Sequence, residues 1–103
     1  MEIRDGLSAS IQADFEKSLG EVPRLLESLD NPPGNDLLAD IAATEALALS
    51  LLVFGSTAKA KHYLQESNTR LAGMTPLHCI QASDNARDKV IADLIRLIEG
   101  YVL

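Results

Sequence analysis

The residues able to do chemistry are few and scattered. His62 and His78 stand far apart, and Cys79 directly follows His78. A zinc site needs about four ligands in closely paired spacings, which these three do not supply. The histidines therefore read as surface or structural residues, and Cys79, among apolar neighbours, as a small core residue. No serine stands in a G-x-S-x-G setting. Gly6, Gly20, Gly34, Gly55, Gly73 and Gly100 are too dispersed for a phosphate-binding or dinucleotide loop. Carboxylates are common, but no spacing pairs them in a pocket. The expectation is a chain that is not an enzyme, with no catalytic residue, no metal and no cofactor.

The rest of the chain must then be read for what it builds. Its 103 residues suit about one domain, and 47% apolar residues can fill a real core. Those residues are mostly Leu, Ala and Ile with few aromatics, which favours helix over sheet. No run of about 18 apolar residues predicts a transmembrane helix. The start, MEIRDGLSAS, lacks the apolar centre of a signal peptide, and one cysteine allows no internal disulfide. Both features make the cytoplasm the expected compartment. Net charge is −6, but residues 1–50 hold three Lys/Arg against ten acids, while residues 51–103 hold six against five. The acidic part is unsuited to DNA phosphates, and the near-neutral part has no strong basic stripe.

Helix signals run through most of the chain. Ser8 or Ser10 can cap a helix with Ile11, Phe15, Leu19 and Val22 on one face. Gly20 is expected to interrupt it, and Pro23 to open a second helix carrying Leu25, Leu26 and Leu29. Asp30-Asn31-Pro32-Pro33-Gly34 is the strongest boundary, dividing an N-terminal helical segment (1–34) from residues 35–103, the two expected to form one compact unit. Asn35 or Asp36 can cap a helix that starts amphipathic, with Asp40 and Glu45 outside, and becomes apolar all round before ending at Phe54.

Gly55 is a C-cap signal and Ser56 an immediate N-cap signal, so two helices must meet at a sharp angle. The helix from Thr57 to about Glu66 turns Ala58, Ala60, Tyr63 and Leu64 toward the core. Gly73 allows a positive φ, and Thr75-Pro76 starts another short helix. Asp84 can cap a last helix from Asn85 to Glu99, with Arg87, Asp88, Lys89, Asp93 and Arg96 on its wet face. Gly100 is expected to close it, leaving Tyr101-Val102-Leu103 as a short apolar tail. The fold class is all-α, a small bundle of five to six helices.

One stretch is more specific than its caps and turns require. Phe54-Gly55, Ala60, Tyr63-Leu64, Asn68, Leu71-Ala72-Gly73 and Thr75-Pro76-Leu77, followed by Val90 and Gly100, resemble the toxin-binding domain of the MbcA/ParS/Xre antitoxin family. The resemblance covers about Leu47 to Gly100. Tyr63 stands where the family usually has Trp, Ala72 where Gly is frequent, and Asn85 where Gly is common. Residues 1–46 do not resemble a full helix-turn-helix domain and look like the reduced N-terminal part of short members.

The resemblance implies an antitoxin of a type II pair whose partner is a RES-domain, NAD-degrading toxin, occluded by the antitoxin's C-terminal end. Toxin contact would fall to Arg87, Arg96, Glu99, Gly100, Tyr101, Val102 and Leu103, while Phe54, Gly55, Tyr63, Leu71, Gly73, Thr75 and Pro76 shape the domain. A homodimer is expected because the apolar stretch Ala46–Phe54 exceeds what one thin helix layer needs. No membrane partner is expected. A DNA-binding autorepressor, against which the acidic balance counts, and a non-enzymatic assembly adaptor are the alternatives.

Overall fold

A computed structural model of the chain describes residues 9–30 and 40–102. Among these, five α-helices and no strand are found. They are α1 (Ala9–Ser28), α2 (Ile41–Phe54), α3 (Thr57–Gln65), α4 (Pro76–Ala82) and α5 (Asp84–Val102), with a single 3-10 turn at Thr69–Leu71 before α4. The expected all-α bundle is therefore the observed architecture. The expected caps at Ser8, Asn35 and Asp36, the Asn31–Gly34 boundary and Leu103 lie outside the described residues.

Helix α2 is the centre of the bundle. Its residues from Ala43 to Leu51 are all buried except Thr44, and it touches each of the other four helices. Phe15, Val22, Leu25 and Leu26 of α1, with Leu29 just past its end, pack with Leu47, Leu49, Leu64, Ile80, Val90 and Leu94 in one core. Complete burial of one such side chain contributes about 1.5–3 kcal/mol. The core draws on residues from both sides of the expected boundary at 34. It takes up Ala46–Leu51 of α2 within a single chain, while Leu52, Val53 and Phe54, the rest of the stretch on which a dimer is expected, are only partly buried.

Several local expectations are overturned. Helix α1 runs unbroken through Gly20 and Pro23. Pro23 cannot donate to the carbonyl one turn back, but it faces solvent, and the buried residues on both sides of it hold the helix against α2. Asp40 caps α2, its Oδ1 accepting the amides of Ala42 at 3.0 Å and Ala43 at 3.2 Å, while Glu45, expected outside, is buried. At the other end, α5 passes through Gly100 and continues to Val102, so Tyr101 and Val102 extend the helix and are not a separate tail. Gly lowers helix stability but does not forbid it, and only a left-handed backbone makes it a stop.

The joints elsewhere follow local rules. Gly55 takes φ 78°, and its amide donates to the Leu51 carbonyl at 2.8 Å. Ser56 caps α3 through its hydroxyl, which accepts the Lys59 amide at 3.2 Å. The axes of α2 and α3 consequently bend by 117° with two residues between them. Ser83, and not Asp84, caps α5: its Oγ accepts the Ala86 amide at 3.1 Å. Asn85 is then an ordinary helical residue, and Ala58 of α3, expected inward, faces solvent. No single described helix is long and apolar enough to cross a membrane.

Candidate functional site

The motif residues converge on the junction of α3, the loop before α4 and α5. Asn68 organises that loop. Its side chain accepts the Arg70 amide at 2.9 Å, its carbonyl accepts the Leu71 and Gly73 amides, and its own amide donates to the Met74 carbonyl. Such a tight ring needs left-handed backbone twice, at Ala72 (φ 57°) and Gly73 (φ 82°). Gly73 takes it freely, whereas Ala72 carries strain of about 1–2 kcal/mol. Leu71 is drawn into the core, and Thr75 then starts α4, its Oγ1 accepting the His78 amide at 3.1 Å with Pro76 in the first turn.

Tyr63 links this loop to α5. Its ring lies 4.8 Å from that of Phe54, and its hydroxyl donates to Asp93 Oδ2 at 3.1 Å. The other oxygen, Asp93 Oδ1, receives Arg70 Nη1 at 3.2 Å and Arg96 Nη2 at 2.9 Å. Asp93, expected on the wet face, has a side chain only 9% exposed, while the two guanidiniums are 56% and 55% exposed. A carboxylate at that depth persists because three donors replace its water. Burial raises the Tyr63 phenol above its ordinary range, and the adjoining Asp93 charge raises it further. Tyr63 thus remains a donor.

Arg87 is the main correction to the expected contact residues. Its side chain is 10% exposed, one turn before buried Val90 on α5, and is turned away from solvent. Nη1 pairs with Asp40 at 3.3 Å and Nη2 with Asp84 at 2.6 Å, while Nε is buried with no hydrogen-bond partner. The pair ties the start of α2 to the start of α5. Of the remaining expected contacts, Arg96 is exposed, and Glu99, Gly100, Tyr101 and Val102 follow it on the last turns of α5.

Beside Tyr63 the surface forms a depression of about 470 Å³. Half-buried Phe54, Tyr63 and Asn68 form its floor, and exposed Ala58, Lys59 and His62 stand at its rim. His62 Nε2 lies 3.2 Å from Glu66, one turn on. Cys79 is free and buried in the core. Among the described residues no three of His, Cys, Asp and Glu are placed to hold a metal ion.

Sequence reasoning missed Asp93 and misplaced Arg87, and both had a signal in their spacing. Arg87, Val90 and Leu94 follow the three- and four-residue steps of one helix face, and Asp93 lies three residues from Val90. A charged residue on a helix ordinarily faces solvent, and the partners Asp40 and Tyr63 that offset burial here are distant in sequence. No known family model, curated protein or solved structure matches the chain.

Proposed function

We propose that this chain is the antitoxin of a type II toxin–antitoxin pair, and that it binds a RES-domain toxin in the cytoplasm and blocks access to that toxin's NAD pocket. The observation that supports this most is the fit between the motif and the work its residues do. Gly55 and Gly73 stand where a left-handed backbone is needed, Thr75 and Pro76 start a helix, and Tyr63 keeps the polar tip of an aromatic anchored on α5. These residues build a frame that sets the direction of α5. The extension of α5 to Val102 favours occlusion by a helix end, not by a loose tail.

In this reading Arg96, Glu99, Gly100, Tyr101, Val102 and Leu103 meet the toxin, and Arg87 acts only by holding the start of α5. A homodimer would need a surface other than the buried stretch Ala46–Leu51 of α2. Co-expression with a RES-domain toxin from an adjacent reading frame tests the proposal. Growth should be restored by the full chain and lost when Tyr101–Leu103 are deleted. Absence of rescue by the full chain would reject the antitoxin reading. Rescue by the truncated chain would reject occlusion by the helix end while leaving that reading intact.

A further inference from the structure

The depression over Phe54 and Tyr63 adjoins the paired guanidiniums of Arg70 and Arg96, and the two features share residues. Tyr63 gives its ring to the depression and its hydroxyl to Asp93, while Asn68 lines the depression and holds the Arg70 amide. We propose that together they form a docking site for an acidic peptide segment of a partner protein, with an apolar side chain over Phe54 and Tyr63 and a carboxylate across the two guanidiniums. The site does not depend on the toxin reading.

Charge selects the occupant. The chain as a whole carries −6. Here, however, among the described residues that line the depression or pair with the two arginines, Lys59, Arg70 and Arg96 stand against Glu66 and Asp93, and the Asp93 carboxylate is turned inward. Both guanidiniums donate to the same oxygen, Asp93 Oδ1, which brings two positive groups close together and holds them there. Each uses one nitrogen in that contact and keeps further N–H donors for a planar acceptor. Pre-set donors lose little side-chain entropy when a second carboxylate arrives.

The geometry disfavours the other anions. Nucleic acid needs a row of cations along its phosphates, and an acidic chain with one positive spot does not provide one. A free small anion would remain half in water between two exposed guanidiniums, where such pairs are weak. A peptide covers the spot and excludes that water, while its apolar side chain fills the aromatic-floored depression beside it.

The test is an amide and arginine side-chain NMR titration of the full chain with three probes. Two are short synthetic peptides with a Leu-Phe centre, one flanked by Glu and one by Lys; the third is a single-stranded DNA oligonucleotide. The Glu-flanked peptide should shift Phe54, Ala58, Asn68, Arg70 and Arg96, binding about tenfold or more tightly than the Lys-flanked one. Arg70→Gln/Arg96→Gln should remove that preference. Ala58→Trp, at an exposed position, should block the depression while leaving the rest of the spectrum unchanged. No shift with the Glu-flanked peptide, equal binding of both peptides, or wild-type affinity in both variants overturns the proposal. So does tighter binding of the oligonucleotide at the same residues.

Discussion

Two charged networks hold α5, one near its start and one at its middle, and they are inverses of one another. Near its start a buried cation, Arg87, lies between two wetter carboxylates, 49% exposed Asp40 and 88% exposed Asp84. Further along, the buried carboxylate of Asp93 lies between two exposed cations. In each case the inner charge fixes helix positions, and the outer charges decide what the surface offers. One region presents acid and the other base, within a chain whose total charge predicts only acid. The two differ also in satisfaction: Asp93 has donors on both oxygens, whereas Arg87 leaves Nε unpaired. The Asp93 network should therefore contribute more to stability.

The sharpest way to break this comparison is Asp93→Ala. It leaves the Tyr63 hydroxyl without its acceptor and two arginines facing each other, at an expected cost of about 2–4 kcal/mol in urea unfolding. Arg87→Met keeps the apolar stem and frees two carboxylates that can rehydrate. Its expected cost is about 1–2 kcal/mol, and a loss larger than that of Asp93→Ala would reverse the ranking.

A pH series sharpens the Tyr63 arm. Its phenol has a raised pKa in the folded state, so the folded chain holds that proton more tightly than the unfolded one. The resulting stability is complete below about pH 10, the unfolded value, and declines as pH rises toward the folded value. Thermal melts should show that alkaline decline, and Tyr63→Phe should flatten it. The smallest effect concerns the loop that presents Arg70. Ala72→Gly should stabilise by about 0.5–1 kcal/mol, because relief of left-handed strain exceeds the added freedom of the unfolded chain. An unchanged or lowered urea midpoint would show that Ala72 sits there without strain.

What the sequence revealed follows the range of the forces involved. Gly55, Ser56, Gly73, Thr75 and Pro76 do what their types predict, since each acts within one turn of its own backbone. The burial of α2 was equally legible from a run that is apolar on every face. Helix α1 was not, because its continuity through Pro23 depends on packing against α2, which outweighs a local penalty of about 3 kcal/mol. Arg87 and Asp93 were misread for the same reason. Their burial rests on Asp40, 47 residues from Arg87, and on Tyr63, 30 residues from Asp93. The Asp93 network was thus only partly visible: the exposure of Arg96 follows from its place on α5, whereas the pairing of Arg70 with Asp93, 23 residues away, has no local signal.

The two-residue corner at Gly55-Ser56 has a dynamic consequence. With no slack between α2 and α3, and with Ala60 and Leu64 fixed in the core, the two helices form a rigid elbow. Helix α3 cannot swing open without disturbing α2. Its short length would ordinarily mark it as a fraying element, yet its inner amides should exchange with solvent only on the timescale of α2. A partner seated beside Tyr63 would accordingly press on the centre of the molecule and be felt as a change in global unfolding, not as a local adjustment.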